Sequence, residues 1–164
     1  MRALRWHPSV DRARSLFCGT ALALAISGCK PDVEYWSDGV RRAQGRVAGS
    51  SPDVLARETG PWTWWYPNGD RREQGTLENG RRTGTWTQWY PNGQRRSQGL
   101  RAWDDASRAS VREGVWTFWH ENGERSAVGV YRAGRREGYW DFTLDDGSLD
   151  GDRTGEYHHD QRIP

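Results

Sequence analysis

Aliphatic side chains are scarce in this sequence. Leu, Ile, Val and Phe make up 23 of 164 residues, about 14%, under the roughly 20% at which a chain of high net charge stays unfolded. A conventional two-layer aliphatic core is excluded. An excess of one charge sign is also missing, with 24 basic residues against 22 acidic ones, which excludes a nucleic-acid-binding domain driven by bulk positive charge. Cysteine is nearly absent, Cys18 and Cys29 being the two in the chain. The one long apolar run, Leu16 to Ile26, falls short of the roughly 20 residues that span a bilayer. Neither a Gly-x-Ser-x-Gly elbow, a Walker loop nor a His-Glu-x-x-His pair occurs, and no enzyme is expected. What the chain does have is 11 Trp, 6 Tyr and 20 Gly. Each aromatic ring can bury roughly 150–250 Å², so the apolar area needed for folding is carried by rings.

The first thirty residues read as an address. Arg2, Arg5, Arg12 and Arg14 precede the apolar run, and Ser27 and Gly28 precede Cys29. A basic segment, an apolar segment of 7–15 residues and small residues before a cut make a secretory signal. Ile26-Ser27-Gly28-Cys29 resembles the lipobox of bacterial lipoproteins, which implies acylation of Cys29 and cleavage before it. Loss of residues 1–28 leaves 20 basic and 21 acidic residues, a nearly neutral body without a second cysteine for a disulfide or thiolate metal site. Residue 30 is Lys. By analogy with enteric lipoproteins, where Asp at that place signals inner-membrane retention, an outer-membrane destination is favoured.

The body repeats itself. Trp62-Thr-Trp-Trp-Tyr-Pro-Asn-Gly69, Trp86-Thr-Gln-Trp-Tyr-Pro-Asn-Gly93 and Trp116-Thr-Phe-Trp-His-Glu-Asn-Gly123 align without gaps. A degenerate fourth copy is Trp140-Asp-Phe-Thr-Leu-Asp-Asp-Gly147, and a partial one, Glu34-Tyr-Trp-Ser-Asp-Gly39, comes first. Three glycine series run in step: turn glycines at Gly39, Gly69, Gly93, Gly123 and Gly147, glycines six residues later at Gly45, Gly75, Gly99 and Gly129, and leading glycines at Gly60, Gly84, Gly114 and Gly138. The period is 24 residues, with six-residue insertions within 46–59 and 100–113. Aromatic and Thr-rich runs around Asn-Gly predict a β-hairpin per unit. Asn79-Gly80 and Ala133-Gly134 mark the reverse turns, and 53–58 and 104–113 are expected to form short turns.

These units resemble the bacterial variant of the MORN repeat, over about residues 34–148. The resemblance implies an all-β fold, an elongated single antiparallel sheet of consecutive hairpins, preceded by a signal-peptide helix. Many bacterial members of the YwqK type carry an antitoxin label. The expected organisation is a leader at 1–28, a tether at 29–33, hairpin repeats at 34–157 and a polar tail at 158–164.

Alternation along a strand sorts the side chains into two faces. Trp62, Trp64, Tyr66, Trp86, Gln88, Tyr90, Trp116, Phe118, His120, Trp140, Phe142 and Leu144 share one face as the structural stripe. Trp65, Trp89 and Trp119 fall on the other, spaced roughly 10 Å apart in a regular sheet, and are the candidate partner-binding row. Two uses compete for this row: stacking on sugars or on a partner's apolar groups, and packing under the stems of Arg71, Arg72, Arg95, Arg96 and Arg125. The packing reading is the stronger. The arginine pairs interleaved with rings suit single-strand binders, but the near-neutral body and export signal argue against nucleic acid.

No metal or cofactor site is expected. His120 occupies a Tyr position of its repeat, and His158-His159-Asp160 lies in the tail, where two adjacent imidazoles do not make a site unaided. Asp145, Asp146, Asp150 and Asp152 half-match a calcium loop whose twelfth position holds Tyr157 in place of the required Glu. The reading is a lipid-anchored, non-enzymatic envelope protein that binds or scaffolds a partner. Its alternatives are an antitoxin-like or immunity protein and a glycan-binding module; the implied partners are the membrane, through Cys29, and an envelope protein or glycan.

Overall fold

The computed structural model describes residues 32–48 and 57–164. The leader, Cys29, the first residues of the tether and the middle of the first insertion lie outside the described residues. Eleven strands follow one another: β1 Asp32–Tyr35, β2 Arg41–Ala48, β3 Arg57–Trp65, β4 Arg71–Glu78, β5 Arg81–Trp89, β6 Arg95–Asp104, β7 Ala109–Trp119, β8 Arg125–Arg132, β9 Arg135–Phe142, β10 Gly155–His158 and β11 Gln161–Arg162. Each pairs antiparallel with the next, so strand order in the sheet equals chain order. The fold is all-β, one open sheet, with no helix among the described residues.

Two expectations are revised. The second insertion forms one short turn, over 105–108, and not turns across 104–113. It lengthens a hairpin, with β6 and β7 pairing through Asp104↔Ala109, because its alternating residues can continue the ladder on both sides. Residues 158–164 are not wholly a tail either, since β11 pairs with β10 through Tyr157↔Arg162 and His158↔Gln161.

The glycine series have three separate causes. The turn glycines adopt φ near +82 to +90°, as Gly69 does in the turn closed by Gly69 N–H donating to Tyr66 O at 3.0 Å; L-residues with a Cβ resist that region. The leading glycines, such as Gly84 at φ +68°, sit beside interruptions of the register between strands, where a bulge of this kind calls for a left-handed residue. The third series has ordinary φ but no room. A Cβ on Gly75 would lie 2.3 Å from the Trp86 ring, and Gly45, Gly99 and Gly129 meet Trp62, Trp116 and Trp140 in the same way.

Those four indoles form the core. Trp62, Trp86, Trp116 and Trp140 are 1–3% exposed. Three of them donate their Nε1–H to backbone oxygens, Trp86 to Thr83 O, Trp116 to Leu100 O and Trp140 to Val130 O at 2.9–3.1 Å, so the one polar atom of each ring is satisfied. The stripe divides into two clusters. Trp64 stacks between Trp62 and Trp86 at 5.6 and 5.7 Å; further along, Phe118 lies between Trp116 and Trp140 at 6.0 and 6.2 Å. At the equivalent position between them Gln88 reaches Glu73 Oε2 and accepts from Ser97 Oγ, and Arg82 closes on Glu73 at 2.9 Å. Leu144, expected in the stripe, is exposed instead, at the start of the turn that Gly147 N–H closes on Leu144 O.

Candidate binding surface

The turn motif joins each hairpin to the next. Tyr66 donates its hydroxyl to Trp89 O and Tyr90 to Trp119 O, at 2.8 and 2.9 Å. His120, in the Tyr position, places Nε2 at 2.8 Å from Thr143 O, with Nδ1 2.6 Å from Asp145. The Asn of each Asn-Gly does the same one step on, with Asn68, Asn92 and Asn122 donating to Pro91 O, Glu121 O and Asp145 O. The repeated spacing of Tyr and Asn within the unit thus serves register between units.

On the face opposite the stripe stand Trp65, Trp89 and Trp119, each half-buried. An arginine from the preceding unit's return strand covers each ring: Arg41 on Trp65 at 5.7 Å, Arg71 on Trp89 at 4.8 Å and Arg95 on Trp119 at 4.8 Å. The arginine pairs divide their work. The first of each pair caps the next unit's Trp, while the second, Arg42 or Arg96, lies over its own unit's Trp36 or Tyr90. In the fourth unit Thr143 replaces the Trp, its hydroxyl bonds Arg125 O, and the Arg125 side chain turns to Asp141 at 3.6 Å.

The same face carries residues that sequence reading did not single out. Leu100, Val115, Val130 and Tyr139 are exposed by 43, 62, 37 and 61%. They flank the core glycines and indoles, Val115 pairing with Val130 and Leu100 with Thr85. A signal was present: the residue before each stripe Trp is Pro61, Thr85, Val115 and Tyr139, turning apolar only in the second half.

The stripe face has its own concavity. Phe118, Tyr131, Trp140 and Phe142, with Arg136 and Arg153, line a cavity of about 310 Å³. Arginines gather on this side as well, with Arg101 opposite Arg112 in register and Arg112 4.9 Å from the Trp116 ring. Burial first, then the charges of Arg82 and Arg112, hold the Arg101 pKa below the ordinary arginine value, with Glu73 acting against them.

Three of the four carboxylates of the calcium half-match are engaged by the chain itself. Asp146 accepts Ser148 N–H and Oγ–H, Asp150 accepts Arg153 N–H and Asp145 holds His120. The two tail histidines are not alone either: Glu137 of β9 lies against both.

The family profile described as MORN repeat variant matches residues 58–79, 82–100 and 112–132. These segments hold the three gapless copies, and the hairpin architecture agrees with that repeat type. No curated protein matches the chain. Among solved structures, one described as "Crystal structure of GtfA/B complex bound to UDP and GlcNAc" is similar over 82% of this chain, at 13% identity and a TM-score of 0.24. The chain spans about a quarter of that partner's length, 25%, and so slight a likeness bears on neither fold nor function.

Proposed function

We propose that the protein is a lipid-anchored, non-enzymatic envelope component whose sheet binds a partner protein through the face opposite the aromatic stripe. The observation that carries this reading is the band of Leu100, Val115, Val130 and Tyr139, left exposed on the face that also carries Trp65, Trp89 and Trp119. A folded monomer gains nothing from exposing large apolar groups side by side, whereas a partner that covers them gains their burial. The matched repeat type commonly binds proteins or membranes, which supports a scaffold over a catalyst. The anchor rests on Ile26-Ser27-Gly28-Cys29, and more than one acyl chain would make it stable.

Replacing Trp65, Trp89 and Trp119 together with Ala should abolish capture of the partner from solubilised envelopes while the far-UV circular dichroism persists. Undiminished capture would refute the role of the row. Mass spectrometry of the mature N-terminus tests the anchor: an acylated Cys29, lost in Cys29→Ser, is the expected result. An intact leader on soluble cytosolic protein would contradict it and favour the antitoxin-like alternative.

One observation favours glycan binding as a second reading. The cavity bears the half-buried rings of Tyr90, Phe118 and His120 beside the guanidinium groups of Arg136 and Arg153, a combination suited to an acidic sugar. Co-sedimentation with peptidoglycan or polysaccharide that is lost in Arg153→Ala would establish it.

A further inference from the structure

The last reverse turn differs from its equivalents in a way its architecture does not require. Asn79-Gly80, Ala133-Gly134 and His159-Asp160 occupy corresponding places, and Asn79, Ala133 and His159 share φ near +50°. The second residue of each turn donates its N–H to an upstream carbonyl: Gly80 to Glu58 O, Gly134 to Arg112 O and Asp160 to Arg136 O. A glutamate then caps the turn, Glu113 accepting Ala133 N–H at 2.8 Å and Glu137 accepting His159 N–H at 3.0 Å. The turn at Ala133 is therefore built without any imidazole. Its last copy adds two, and Glu137 Oε1 already meets His158 Nδ1 at 2.7 Å.

We propose that Glu137, His158 and His159 bind a single divalent first-row transition ion of the zinc type. Their ligand atoms all lie within 4.8 Å of one another, and the two imidazole centroids are 4.1 Å apart. Ligand bonds of about 2.0–2.2 Å place donors roughly 3.3 Å apart around a tetrahedral ion, so small side-chain rotations suffice. The backbone is already set. Arg136 holds the turn from its other side, donating its N–H to Asp160 Oδ1 at 2.9 Å and its Nε–H to the same oxygen at 3.3 Å. Two imidazoles select zinc-like ions over calcium or magnesium, whose ligands are oxygens. Water would complete the coordination. The bound ion would tie β9 to the β10–β11 hairpin and pin the last edge of the sheet.

The test is zinc titration of the full-length protein against a chromophoric chelator, with thermal unfolding followed in parallel. One ion per chain and a raised Tm in zinc are expected. His158→Ala with His159→Ala should remove both effects and leave the zinc-free Tm and circular dichroism unchanged; Glu137→Gln should weaken uptake. No uptake, or uptake that survives the double His variant through Cys18, Cys29 or His120, would overturn the assignment.

Discussion

At the scale of single residues, the glycines of one regular series obey different constraints, and substitution separates them. Gly75 lacks room, its Cβ position lying 2.3 Å from the Trp86 ring, whereas Gly84 at φ +68° has nothing within 4 Å. Gly75→Ala forces the indole off its place and should destabilise by about 1–3 kcal/mol, or more, as overpacking does. Gly84→Ala should cost roughly 1–2 kcal/mol for left-handed backbone. Asn distinguishes the two causes, being milder than Ala at residue 84 and at least as damaging at residue 75. Urea midpoints followed by tryptophan fluorescence check the order. Asp146 supplies a second residue-scale test. Its carboxyl is held below the ordinary value by the hydroxyl and backbone N–H of Ser148. A depressed carboxyl stabilises the fold fully above its unfolded pKa of about 3.9, and that contribution is lost as pH falls through the folded value. Asn68, Asn92 and Asn122 make the same turn without a charge. Asp146→Asn should therefore match the parent near neutral pH and lose less stability on acidification, measured as the urea midpoint against pH.

At the scale of the element, a hairpin is joined to its successor by side chains in its turn. The Tyr90 hydroxyl donates to Trp119 O across 29 positions of sequence, and Tyr66 does the same to Trp89 O. Tyr90→Phe keeps the ring and removes the bond, so a loss of about 1 kcal/mol is expected. Tyr66→Phe should cost a similar amount, and the double variant close to the sum, because the two bonds cross different inter-hairpin seams. A double variant no worse than either single would show that the seams do not hold the repeats in register. The arginines act at this scale too. Arg71 lies in β4 and shields Trp89 at the end of β5, so the capped row is a property of consecutive hairpins and not of one.

Across the whole molecule, the hairpin succession was legible from Trp-Thr-x-Trp, Asn-Gly and the glycine spacing, because each marks a local event: a strand, a turn, a bulge. The division into faces was legible from alternation, and the stripe indoles are buried as alternation requires. Contacts between units were less so. The sequence placed arginines near the Trp row but not which ring each covers, since Arg71 pairs in register with Trp65 and yet stacks on Trp89. Nor does the pattern show that Gln88 and Glu73 split the stripe, or that Glu137 meets histidines 21 and 22 positions away. These follow from register across neighbouring strands. The exposed band was missed for a similar reason: Leu100, Val115, Val130 and Tyr139 come from four strands and are neighbours only in the folded sheet.

That band and the Trp row of the same face are the basis of the proposed docking face, and solvent footprinting addresses them directly. Hydroxyl-radical labelling of the protein in isolated envelopes would be compared with the purified chain. Binding through this face predicts protection of Trp119, Val115 and Tyr139 in envelopes, with Tyr90 and Leu144 of the opposite face unchanged. Equal labelling in the two states, or protection confined to Tyr90 and Leu144, would contradict it.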